Sequence, residues 1–153
     1  MTNLEALQKL VRGEPVELGP FQLPAPIQKT LGFQLTSVEA GRAVFRMQAN
    51  TAVHGNPMGT LHGGVLCDIA DVAMGVATAS TLEAGESFTT LELKINFIRP
   101  FWNGTLEARA HAVHRGKGLA YLECEVVSVP DEKLIAKVNS TCLVLRGAAA
   151  DRR

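Results

Sequence analysis

Between Gly63 and Leu82 the chain runs for 20 residues with only two charges, Asp68 and Asp71, and with Gly63, Gly64 and Gly75 set among apolar side chains. The run is long enough to be mistaken for a membrane span. Each central aspartate, however, would cost about 3 kcal/mol in lipid, so the stretch reads as a helix buried in a soluble protein. Downstream of this helix the period changes. Leu91, Leu93, Ile95 and Phe97 alternate with Thr90, Glu92, Lys94 and Asn96; Leu106, Ala108, Ala110 and Ala112 alternate with Glu107, Arg109 and His111; Ala120, Leu122, Cys124 and Val126 alternate with Tyr121, Glu123 and Glu125. Period two is the signature of strands with one wet face, and a last strand is expected from about Lys133 to Leu145.

Two further strands precede the helix, Phe33 to Val38 and Arg42 to Gln48, split at Ala40-Gly41. The turns at Phe101 to Gly104, Gly116 to Gly118 and Pro130-Asp131 are short and carry turn chemistry, which joins neighbouring strands in antiparallel fashion. One long helix with five or six strands gives an α+β fold, an antiparallel sheet wrapped around a single helix. Upstream, Leu4, Leu7, Leu10 and Val11 have helical spacing, Thr2 and Glu5 fit a capping box, and Gly13 fits a stop. That charged, periodic start does not resemble a targeting signal. Pro15, Pro20, Pro24 and Pro26 make residues 14–26 an extended connection, and Ile27 to Leu31 fit one helical turn before Gly32. The expected organisation is therefore residues 1–26 as an N-terminal helix and connection, 27–146 as one domain, and 147–153 as a tail.

Fifteen basic and 15 acidic residues cancel, which removes the broad positive field that a nucleic-acid binder needs. Cys67, Cys124 and Cys142 form an odd set with no CxxC, so neither a disulfide framework nor a zinc site is indicated and a cytoplasmic location is expected. His111 and His114 are three apart in a strand and project to opposite faces, which argues against shared metal binding. No cofactor and no metal are expected.

At 100° per residue, Gly64, Asp68, Asp71, Gly75 and Thr78 share one stripe of the long helix, opposite Leu66, Ile69, Ala73, Val76 and Ala77. Glycines that only permit close packing, and aspartates that are only solvated, would make such a stripe. The acids, however, have glycine neighbours and no basic residue on the helix to pair with. The segment Gly59-Thr60-Leu61-His62-Gly63-Gly64 runs straight into the helix. First-turn N–H groups are unsatisfied within a helix and lie at the positive end of its dipole. With no side chain at Gly63 or Gly64, a carbonyl oxygen can approach these amides, and negative charge developing on it would be stabilised.

Gly63 and Asp71 are eight residues apart, about 12 Å along the axis at 1.5 Å per residue. An amide and a carboxylate acting on the same carbon must lie within a few Å of each other. One copy of the helix does not satisfy both requirements. Two antiparallel copies do, so a composite site at a homodimer interface is expected.

The run Asn56-Pro57-Met58-Gly59-Thr60-Leu61-His62-Gly63-Gly64 followed by Asp71 resembles the hotdog-fold acyl-CoA thioesterases, in particular the phenylacetate-pathway and thioesterase-superfamily-member branch. The likeness covers roughly residues 30–146, with Thr90 to Pro100 and the Arg115-Gly116-Lys117-Gly118 hairpin. The resemblance implies a hotdog fold and thioester hydrolysis. It places Gly63 N–H on the thioester carbonyl, Asp71 of the facing subunit as base or nucleophile, Asn56 on the water or substrate carbonyl, and His62 as the residue that orients the loop. Thr90 takes the place of a family serine that holds the water. Arg99, Arg115 and Lys117 would capture coenzyme A phosphates, with amides near Gly116 and Gly118 adding anion contacts; the competing reading is that turns are simply charged. Gly64, Met74, Gly75 and Thr78 would line the substrate channel, and a tetramer of two dimers is common in the family. Two other classes fit the same shape. A hotdog enoyl-CoA hydratase generally carries an aspartate five positions before its histidine, where this chain has Pro57. A non-catalytic acyl-CoA sensor or carrier would lack any DNA-reading helix or basic tail here.

Overall fold

The computed structural model describes residues 1–16 and 22–152. Pro20, within the expected extended connection, and Arg153 of the tail lie outside them. The elements in chain order are α1 (Asn3–Val11), α2 (Pro26–Leu31), β1 (Gln34–Glu39), β2 (Arg42–Ala49), α3 (Thr51–His54), α4 (Gly63–Ala79), β3 (Glu86–Phe97), β4 (Gly104–Arg115), β5 (Leu119–Val129) and β6 (Leu134–Arg146), with a 3-10 turn at Gly147–Ala149. The six strands form one sheet in the order β1-β2-β4-β5-β6-β3, and every pairing is antiparallel. β2 and β3 are not neighbours: α4 lies between them in sequence, crosses one face of the sheet touching all six strands, and delivers β3 to the far edge.

The seating of α4 is set by its side chains. Val65, Leu66, Ile69, Ala73, Val76 and Ala77 face inward, against Phe45, Met47, Leu106, Leu122, Val126 and Val138 of the sheet. The alanines keep the helix close to the strands, and each large side chain so buried contributes about 1.5–3 kcal/mol. Ile69 is wholly buried, so Ile69→Ala would cost about 2–5 kcal/mol by opening a cavity.

α1 forms as its sequence predicts. The Thr2 hydroxyl accepts from Glu5 N–H and the Glu5 carboxylate accepts from Thr2 N–H. Gly13, just past the helix, has φ +73°, a conformation glycine adopts without steric cost. The helix packs on β1, with Ala6 and Leu7 buried and Leu7 part of the main core.

Three local expectations differ from the structure. Thr78 is not on the exposed stripe. It is buried, and its hydroxyl donates to the Met74 carbonyl at 3.0 Å, which satisfies it inside the core. β3 begins at Glu86, earlier than expected, and a bulge between Thr90 and Glu92 resets the alternation. Leu91 is the extra residue there and is 59% exposed, and Phe97 is 57% exposed. A short helix, α3, occupies part of residues 49–60, where Gly55-Asn56-Pro57 and Gly59 predict turns, because the Asn50 side chain caps it through the Ala52 N–H at 2.9 Å. Among the described residues no helix is long and apolar enough to cross a membrane.

Candidate active site

The loop that enters α4 is tied down residue by residue. Asn56 Oδ1 accepts from the N–H groups of Met58 (2.9 Å) and Thr60 (3.1 Å), and its Nδ2 donates to the Thr60 hydroxyl at 2.7 Å. Leu61 N–H donates to the Phe101 carbonyl and His62 N–H to the His54 carbonyl, each at 2.8 Å. His62 is then the N-cap, with its imidazole Nδ1 accepting from Gly64 N–H at 2.9 Å and its carbonyl from Val65 N–H at 3.1 Å. Of the first-turn donors, the Gly63 N–H alone is left without an acceptor among the described residues. The cap thus selects one amide and holds it at the positive end of the helix dipole. Neighbours approach both glycines closely: a Cβ on Gly63 would lie 2.7 Å from the far end of the Phe97 ring, which would have to move, and one on Gly64 would lie 3.0 Å from the His62 imidazole.

Asp71 lies about two turns further along α4, on its exposed side. The Thr90 hydroxyl, brought across by β3, donates to its Oδ1 at 3.3 Å. Burial of the carboxyl pushes its pKa above the ordinary carboxylate value, the Thr90 bond lowers it, and the charge of Asp68 raises it. Desolvation prevails, so the group holds its proton more tightly than a free aspartate. No lysine or arginine among the described residues pairs with Asp71 or Asp68. Cys67, beside them on the helix, has its thiol pKa raised by burial and by both acids, so it stays protonated and weakly nucleophilic.

Asp71 and Thr90 line a cavity of about 360 Å³. Gly75 lines it and faces Phe88, whose ring an added Cβ would touch at an ordinary 3.5 Å. Met74, expected on the same surface, instead points into the core and is buried. One residue along a helix turns by 100°, enough to separate the two. The cavity is also lined by Leu7 and Leu23, which sequence reading did not connect with the site. The signal was the apolar stripe of α1, which had to cover something.

The expected phosphate-binding residues are distributed differently. Arg115 is half-buried, donating to Glu86 at 2.6 Å and to the Thr81 hydroxyl at 3.1 Å. Arg99 is exposed, with one nitrogen on the Leu134 carbonyl at 2.8 Å. Gly116 N–H closes the β4–β5 hairpin onto the Leu119 carbonyl at 2.9 Å, while Lys117 and Gly118 are exposed at its tip. Among the described residues no group of three or more His, Cys, Asp or Glu side chains is placed to hold a metal ion.

The arrangement therefore offers an amide donor, a carboxyl with a raised pKa and a neighbouring hydroxyl, all on α4 or against it. Known proteins share this framework. The chain is 33% identical over 118 residues to the 1,4-dihydroxy-2-naphthoyl-CoA hydrolase of Listeria monocytogenes, covering 77% of this chain and 94% of that one. It is 28% identical over 116 residues to human acyl-coenzyme A thioesterase 13, covering 74% of this chain and 81% of that one. Its fold matches the PaaI protein from the phenylacetic acid degradation operon of E. coli with a TM-score of 0.73 at 28% identity, over 82% of this chain and 87% of that one. The sequence profile of the Thioesterase superfamily matches residues 58–135. With half of its length under that profile and the hotdog architecture of its structural neighbours, this chain belongs to the thioesterase superfamily.

Proposed function

We propose that the protein hydrolyses acyl-CoA thioesters as a homodimer, with Gly63 N–H of one protomer and Asp71 of the other acting on the same carbonyl. The observation that carries this reading is the pairing of one acceptor-free amide with one cation-free carboxyl on the same helix, about 12 Å apart by helix rise. That separation is too long for one chain to complete the site. β3 supports an assembly of this kind: it is a 12-residue edge strand bearing exposed Leu91 and Phe97, and such an edge invites pairing with a second copy.

In the mechanism the thioester oxygen accepts from Gly63 N–H, which stabilises the oxyanion as the carbonyl carbon becomes tetrahedral. Asp71 either removes a proton from the attacking water or attacks the carbon itself. In the first route the water oxygen bonds to carbon, its proton passes to Asp71, and the carbon–sulfur bond breaks with the electron pair leaving on sulfur. In the second the Asp71 carboxylate bonds to the carbon, the carbon–sulfur bond breaks with the electron pair leaving on sulfur to give an acyl–aspartyl anhydride, and water then opens the anhydride to the free acid and Asp71. Thr90 holds one Asp71 oxygen in place and orients the other toward substrate. Asn56 and His62 act through the loop they tie, keeping the Gly63 amide in position. Lys117, exposed on its hairpin tip with Arg99 and Arg115 as further cations, attracts the phosphates of coenzyme A. The names of the relatives, a naphthoyl-CoA hydrolase and an acyl-coenzyme A thioesterase, support this substrate class.

The test is release of free thiol from a panel of acyl-CoA esters, followed with a chromogenic disulfide. Turnover that disappears in Asp71→Asn supports the reading. Hydration of an enoyl-CoA without thiol release, or binding without reaction, would overturn it.

A further inference from the structure

We propose that the N-terminal segment, α1 with the end of the connection behind it, forms the selecting wall of the acyl pocket, and that the pocket takes an apolar acyl group of medium size. This rests on the thioesterase reading for the position of the reacting carbon, beside Asp71 and Thr90. The cavity of about 360 Å³ is lined by those two residues, by Val72 and Phe88, and by Leu7 and Leu23. Val72 and Phe88 belong to the helix and strand that carry the chemistry. Leu7 and Leu23 come from a part of the chain far away in sequence.

The wall is firmly seated. Leu7 is only 2% exposed and joins the main core, and Asn3 Nδ2 reaches the Leu82 carbonyl at 3.5 Å, just beyond the end of α4. A cavity of about 150 Å³ accommodates benzene, so this one, at more than twice that volume, has room for a chain of roughly eight carbons or an aryl group of similar bulk. None of its described lining residues is basic, and Asn3 and Gln22 offer only neutral amide donors, so an acyl group ending in a second carboxylate would be buried without a counter-ion, which is unfavourable. The pocket therefore distinguishes apolar acyl groups from both acetyl and dicarboxylic ones.

The experiment uses the full chain and two parallel series. The first is kcat/KM for CoA esters from acetyl to dodecanoyl, with phenylacetyl and succinyl. The second is calorimetric affinity for alkyl-CoA thioethers of the same lengths, which have no carbonyl to hydrolyse. In the native protein each added methylene should raise affinity about fourfold until the cavity is full, and succinyl should be disfavoured. In Leu23→Ala the optimum should move about two carbons longer, and in Ala79→Leu, which fills the cavity from α4, it should move shorter. Leu23 is only half-buried, so its variant remains folded, whereas Leu7→Ala would hollow the main core. Superimposable length profiles in the native protein and both variants would overturn the assignment. Absence of thiol release with the length dependence and its shift intact among the thioethers would instead remove the hydrolase reading and leave the pocket assignment standing.

Discussion

At its N-terminal tip, α4 is held by a dense set of bonds: the Asn56 side chain, the carbonyls of Phe101 and His54 and the His62 imidazole fix every neighbour of the Gly63 amide. About two turns on, Asp71 has one hydroxyl bond, from Thr90 at 3.3 Å, and no counter-ion among the described residues. In the proposed mechanism the tip is a geometric device and the middle an electrostatic one. The amide has to be aimed, because its partial charge does not change. The carboxyl has to titrate in the right range, whereas a tight set of donors around it would drive its pKa down.

Breaking the electrostatic half should have the largest effect. Asp71→Asn is expected to reduce kcat by about 10³ or more, within or beyond the range of a lost general base, with the sedimentation behaviour of the native protein unchanged. Its stability should move the other way. The folded pKa of Asp71 is raised above its unfolded value, so the group binds its proton more tightly when folded, and stability falls as pH rises through the window between the two values. Asp71→Asn should therefore melt higher than the native protein at neutral pH, with the difference vanishing below the unfolded carboxylate pKa.

Breaking the geometric half needs two variants. Phe97→Ala makes room beside residue 63; on that background Gly63→Ala keeps the N–H and Gly63→Pro removes it. Proline suits the first helical position, and His62 already has the extended backbone (φ −67°, ψ 132°) that a following proline requires. The proline variant should be slower than the alanine variant by about 10²–10³ in kcat, as for a lost oxyanion donor. Equal rates would show that the amide takes no part.

Thr90→Val sharpens the comparison. Activity should be lost as pH falls through the raised pKa of Asp71. Removing the hydroxyl bond that lowers that pKa should move the acid limb of kcat/KM to higher pH, with kcat reduced about tenfold. An unmoved limb would mean that Thr90 acts on the substrate rather than on Asp71. Smallest of all, Lys117→Ala should raise KM a few-fold at low salt and not at high salt, since exposed charges are screened over about 10 Å at 0.1 M, and melting temperature should be unchanged.

The fold was legible where periodicity was strong. The central helix and six strands come from runs of 3.6 and two, and α1 from its capping box. The bulge in β3 was not legible, because an inserted residue such as Leu91 has the same composition as its neighbours and shows only against a partner strand. In the proposed site, glycine placement and helix arithmetic single out Gly63 and Asp71, and family likeness adds Thr90. Thr78 was placed on the polar stripe of α4 because a hydroxyl suggests exposure, whereas its bond to the Met74 carbonyl satisfies it in the core; Met74, expected at the pocket, is buried there too. The Arg115–Glu86 pair spans 29 residues, and Leu7 and Leu23 meet the cavity only through tertiary packing. Sequence spacing carries no signal for either.

The sharing of one site by two protomers is most directly tested by mixing lesions. Asp71→Asn subunits co-expressed with Gly63→Pro/Phe97→Ala subunits form hybrids in which one site carries every lesion and the other, pairing Gly63 and Phe97 of the first subunit with Asp71 of the second, is native. With random pairing in a two-fold dimer, activity should return to about a quarter of that of the native protein, although each parent is nearly inactive. Activity in the mixture no higher than the sum of the parents, with hybrids demonstrated by mass, would contradict a site built across the interface.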